Sequence, residues 1–166
     1  MNQFENFLGR TITTIVRQDY KEDYNFFSPI GIYLGTRDQE GIYFGIMNDG
    51  ISVNVQLMND DQLFKDCGVD YFETYHNKLK IDDELNAMIG ERISSIALAE
   101  YQTNEIESES FIMRQGKYAG IRIWTTGNEL TFFNKLGGQV WMNMNFEIPN
   151  NHRWNWVKTE RDTSHN

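Results

Sequence analysis

Apolar and polar positions along this chain fall into two recurring patterns. In "FENFLG" apolar residues stand at Phe4, Phe7 and Leu8, and in "LNAMIG" at Leu85, Met88 and Ile89. The i, i+3, i+4 spacing predicts two short helices, each with one apolar face. Asp82 and Asp83 precede the second, where acidic side chains favour a helix start. Gly9 and Gly90 follow as helix-ending glycines. After each glycine come β-branched residues, "TITTIV" and "RISSIAL". They predict strands, and the spacing of three between isoleucines predicts a bulge rather than strict alternation.

These segments are two copies of one pattern. With Gly9 set on Gly90, Ile12 falls on Ile93, Ile15 on Ile96 and Tyr20 on Tyr101. A unit present twice is an internal duplication; a solenoid needs more copies. Hairpins are expected downstream of each copy. In the first half "GIYLGT" (31–36), "IYFGIM" (42–47) and "ISVNVQL" (51–57) form a meander, with a turn at Asn48-Asp49-Gly50. In the second half the expected strands are "SFIMRQ" (110–115), "IRIWTT" (121–126) and "ELTFFN" (129–134), which sets Ile51 on Leu130. A further strand, "QVWMNMNFEI" (139–148), alternates and stops at Pro149. The glycines within "GIYLG" and "GIYFG" mark bulges or close strand contacts.

The expected fold class is therefore α+β, two helix–strand–meander units forming a largely antiparallel sheet. One domain covers residues 1–150, built of pseudo-repeats at about 2–57 and 83–148 bridged by 58–82. Residues 151–166 read as a C-terminal tail. A chain of 166 residues suits that single core.

Charge changes the picture more than composition does. The net charge is −9. Residues 1–37 balance, residues 38–109 hold sixteen acids against four bases, and the remainder is slightly basic. An acidic chain is poorly suited to a phosphate backbone, which is bound by Lys and Arg. No apolar run is long enough for a membrane helix. "MNQFENFLGR" lacks a basic stretch followed by an apolar one, so no signal peptide is expected. Cys67 is the only cysteine, which leaves no intrachain disulfide and fits a reducing cytoplasm.

Chemistry is sparse. His76, His152 and His165 have no metal-ligand spacing, and Cys67 lies in no catalytic signature. No metal, cofactor or enzymatic activity is expected. The run "DDQLFKDCGVDYFE" lacks the alternating order and central glycine of a calcium loop. It reads as a solvated acidic loop or as a partner-binding loop with aromatic anchors and a charged rim. The candidate partner-binding residues are Asp60, Asp61, Asp66, Asp70, Tyr71, Phe72 and Glu73, with Glu105, Glu107 and Glu109 from the second acidic loop. Trp154 and Trp156 suggest either a stacking platform for nucleic acid or an edge strand packing its aromatics on the sheet.

In overall plan, with "FLGRTITTIV" and "MIGERISSIA" leading into meanders and acids gathered centrally, the chain resembles the cytoplasmic immunity proteins of bacterial polymorphic-toxin systems. The resemblance implies a non-enzymatic protein that binds one cognate toxin domain and blocks its active site. A basic groove on a toxin nuclease and an acidic patch would be complementary. Two other readings use the same sequence differently. One is a nucleic-acid mimic that inhibits a DNA-binding enzyme; the other is a small-molecule binder with a cavity between the two halves.

Overall fold

A computed structural model describes residues 3–20, 30–47, 49, 52–59, 74–79, 81–102, 116–135, 139–144, 148–150 and 153–159. Ten strands among them form one antiparallel sheet. They are β1 (Ile12–Tyr20), β2 (Gly31–Thr36), β3 (Glu40–Ile46), β4 (Val53–Asn59), β5 (Thr74–Lys78), β6 (Ile93–Tyr101), β7 (Tyr118–Thr125), β8 (Glu129–Lys135), β9 (Gln139–Met144) and β10 (Trp154–Thr159). The protein is mostly β rather than α+β. The two segments expected as helices are 3-10 turns, Glu5–Phe7 and Glu84–Met88. Their apolar spacing fits either helix type, but three and five residues are too few for α-helical propagation to repay nucleation. Gly9 and Gly90 end both turns at φ 86° and 90°, where a side chain would be strained.

Strand pairing runs in two matching orders, β5-β1-β2-β3-β4 and β10-β6-β7-β8-β9. A single pair, Val53 with Tyr118, joins β4 to β7. Leu130 pairs with Ile123 as Ile42 pairs with Leu34, and β9 pairs with β8 as β4 pairs with β3. Ile51, set on Leu130 from sequence, lies outside the described residues. The stretches read as bridge and tail also contribute strands: β5 flanks β1, and β10 flanks β6. The expected strand at 110–115 lies outside the described residues.

Each first strand carries the expected bulge. Register shifts between Ile12 and Thr14 against β2, and between Ile93 and Ser95 against β7. One residue is skipped in each, which turns Ile15 and Ile96 to the same face as Ile12 and Ile93. All four are buried in one cluster with Ile32, Leu34, Ile42 and Phe44 of the first half and Ile121, Ile123, Leu130 and Phe132 of the second. The ring of Phe44 meets that of Phe132 edge-on, 5.2 Å between centroids. The two halves thus share one core. Ile93→Ala should destabilise the protein by about 2–5 kcal/mol, the usual range for emptying a buried isoleucine site. Thermal or urea unfolding checks this, and an unchanged curve would show that Ile93 is not part of the packed interior.

Between the two 3-10 turns the halves meet in a seam of main-chain hydrogen bonds. Gly9 N–H donates to Ile93 O (2.7 Å), and Gly90 N–H to Ile12 O (2.8 Å). Ile12 N–H donates to Glu91 O and Ile93 N–H to Arg10 O, both at 2.9 Å. Thr11 and Arg92 face each other as an antiparallel bridge between them.

On the other face of the first half, Tyr33 and Tyr43 are cross-strand neighbours and both are buried. Gly31 and Gly35 flank Tyr33 on its strand, and Gly41 and Gly45 flank Tyr43 on its own. A methyl group at Gly31 would stand 2.6 Å from Gln18 Oε1 and 2.7 Å from Tyr43 Oη. These glycines make room for tyrosine side chains lying along the sheet, the close-contact role expected of them.

Candidate functional site

Every residue singled out from sequence as partner-binding lies outside the described residues: Asp60, Asp61, Asp66, Asp70, Tyr71, Phe72, Glu73, Glu105, Glu107 and Glu109. The described acids of the 38–109 segment divide by environment, and that division bears on which of them a partner can meet.

Two are internal. Asp49 is buried at the β3–β4 turn and accepts from Ser52 N–H (2.8 Å) and Ser52 Oγ–H (2.6 Å). The same Ser52 oxygen accepts from Gly116 N–H at 3.0 Å, which fastens this turn beside the β4–β7 junction. Asp83 is buried at the start of the second 3-10 turn. Its Oδ1 accepts from Leu85 N–H (3.0 Å), and its Oδ2 accepts from Arg17 Nη1–H (3.2 Å). Both side chains of that ion pair are fully shielded from solvent. Arg17 lies opposite Ile32 on β1, the core-facing register, so its charge is carried into the interior. A buried guanidinium requires a carboxylate partner, and Asp83 comes from the other half of the chain.

Three acids brace hairpins. Arg10 Nη1 contacts Glu40 Oε2 at 3.0 Å and Asp38 Oδ2 at 3.5 Å across the β2–β3 turn. In the second half Glu91 stands at the matching place beside the β7–β8 turn. It accepts from the Thr125 hydroxyl and from Asn128 Nδ2–H (3.0 Å). The charge is reversed, and so is the kind of partner. Such exposed or partly exposed pairs hold a turn's geometry more than they stabilise the fold.

Of the other described acids, Asp82 is exposed, Glu84 is largely exposed and Glu100 is half-buried on β6. Partial burial, together with repulsion from Asp83, raises the Glu84 carboxyl above the ordinary carboxylate range, against a smaller opposing pull from Arg17. A raised folded-state pKa means that the native state binds this proton more tightly than the unfolded state does. The resulting stabilisation is present below the ordinary carboxylate pKa and is lost as pH rises through the folded value. Glu84→Gln should therefore raise the Tm at neutral pH, with the gain shrinking as the solution is brought towards pH 4. Calorimetry of both proteins across that range tests the sign. A gain that grows on acidification would contradict it.

The tryptophans of β10 belong to an edge strand. Trp154 and Trp156 pack on Phe133, with ring centroids 4.8 Å and 6.1 Å away. Their indole N–H groups donate to Pro149 O (3.1 Å) and Ile148 O (2.6 Å). Asn150 Oδ1 accepts from Trp156 N–H at 2.8 Å, so a side chain takes up a main-chain donor of this strand. Trp124, on the same half, lies under the Arg122 guanidinium at 4.5 Å and the Lys158 ammonium at 5.5 Å. Among the described residues no helix is long and apolar enough to cross a membrane.

Sequence reasoning missed the Arg17–Asp83 pair. The only signal was an arginine at a core-facing position of a strand. Comparison with protein families, with curated proteins and with solved structures finds no match for this chain.

Proposed function

We propose that this chain is a non-enzymatic inhibitor that binds a basic protein partner through its acidic central segment, as an immunity protein binds its toxin. One observation carries the reading: sixteen acids against four bases over residues 38–109 in an otherwise near-balanced chain. Asp49 and Asp83 are consumed inside the fold, and Asp38, Glu40 and Glu91 brace turns. The acids between 60 and 73 and between 105 and 109 are the ones assigned to the partner. Charge concentrated in this way steers an oppositely charged protein and raises its association rate.

The same reading takes the scaffold as a duplicated unit extending through the fifth strand of each half. It is supported by the identical strand order, the two bulges at Ile12–Thr14 and Ile93–Ser95, the paired glycines at positive φ and the reciprocal hydrogen bonds of the seam.

Co-expression with a candidate toxin nuclease domain tests the function. The toxin domain should co-purify with this chain, and its nuclease activity should be lost in the complex. A toxin that co-purifies yet remains fully active would contradict inhibition.

A further inference from the structure

We propose that Ile81 and Ile89, with the exposed carboxylates of Asp82 and Glu84 in the same turn, form a docking surface for an apolar pocket rimmed by Lys and Arg on the basic partner. The inference rests on the inhibitor reading and deepens it, because these residues belong to the same acidic segment. Ile81 is 100% exposed and Ile89 is 45% exposed. Apolar side chains scattered singly over a surface are ordinary, but these two are tied to one residue. The Asn86 side-chain N–H donates to Ile81 O (3.5 Å), and the Asn86 carbonyl accepts from Ile89 N–H (3.2 Å).

The turn is fixed from beneath. Leu85 and Met88 are buried in the core, and Asp83 points inward onto Arg17 and the Leu85 N–H. What the turn leaves outside is therefore held still, and little ordering entropy is lost when a partner meets it. The first 3-10 turn offers no such surface. Leu8 stands just before Gly9 as Ile89 stands before Gly90, yet Leu8 is only 3% exposed. The outward residues there are the polar Gln3 and Asn6. Charge then selects the partner. With Asp83 turned inward, Asp82 and Glu84 carry the carboxylates that face outward at this turn. Partial burial and the neighbouring Asp83 already raise the Glu84 carboxyl, so a cation set against it would favour its ionised form. An apolar pair beside two acids fits a pocket with a basic rim and disfavours one with an acidic rim.

Surface plasmon resonance of the full chain against the toxin nuclease domain used for co-expression tests the surface. Ile81→Ala should raise Kd about tenfold, and Ile81→Asp should raise it further. Both should act through faster dissociation that salt does not alter, as an apolar anchor does. Asp82→Lys with Glu84→Lys should instead slow association, by a factor that shrinks as salt rises. Leu57→Ala and Val157→Ala remove exposed apolar side chains on β4 and β10 and should leave Kd within about twofold. Because Ile81 stands wholly in solvent, both of its variants should keep the parent Tm.

If the domain binds the wild type and loses nothing to either Ile81 variant, the proposal is overturned while the inhibitor reading stands. An equal loss from Leu57→Ala or Val157→Ala, or a lowered Tm for Ile81→Asp, overturns it in the same way. If the domain does not bind the wild type at all, the inhibitor reading falls and the proposal falls with it.

Discussion

Arg17→Met and Asp83→Asn should each destabilise the protein by about 3–5 kcal/mol, the range for removing one member of a buried ion pair. The pair is fully shielded, and Asp83 also holds the Leu85 N–H at the start of the second 3-10 turn. Asparagine keeps an oxygen for that N–H, so the loss in Asp83→Asn reports the removed carboxylate charge beside the guanidinium rather than the cap. For a domain whose total stability is on the order of 5–15 kcal/mol, either change removes a large fraction. In a chain of this length the Tm should fall by roughly 10 °C. Arg17→Leu combined with Asp83→Asn should lose clearly less than the two single losses added together, because their mutual attraction is lost once and not twice. Urea unfolding of the three variants measures this. Single variants within about 0.5 kcal/mol of the parent would place the pair in solvent.

Much of the scaffold was legible because its signals are local. Glycines after short apolar turns announced the positive φ at Gly9 and Gly90, and isoleucines three apart announced the bulges. The helix type was not legible, since an i, i+3, i+4 pattern over so few residues satisfies a 3-10 turn as well as an α-helix. The stretches between strands differ in length, so an offset that aligns β1 with β6 does not carry through to β8. The places of β5 beside β1 and β10 beside β6 were not legible, because pairing between segments so far apart in the chain is a non-local property. Arg17 and Asp83 are likewise separated by a whole meander and its bridge, so no spacing rule joins them. For the acidic residues between 60 and 73 and between 105 and 109, the charge imbalance was the whole of the signal, and it carries no geometry.

Reversal of Asp60, Asp61, Asp66 and Asp70 to Lys should slow association with a basic partner by about tenfold or more at low salt, since electrostatic steering accounts for factors of that order. Read from sequence as a solvated acidic run, these positions should take the change with the fold intact. Reversal of Glu160 and Asp162, outside the acidic segment, should have little effect. Reversal of the buried Asp83 would unfold the protein and is no control. The wild-type rate should itself decline as salt rises, because screening shortens the reach of exposed charges to about 8 Å at physiological ionic strength.

Surface plasmon resonance of wild type and both sets of reversals against a basic toxin domain, at low and at physiological salt, tests the acidic-inhibitor account most directly. The account predicts a wild-type association rate that falls with salt. It also predicts a strong loss for the reversals at 60, 61, 66 and 70 and a negligible one for those at 160 and 162. Equal effects from the two sets, or a rate insensitive to salt, would contradict it and leave the acids of residues 38–109 as a means of solubility alone.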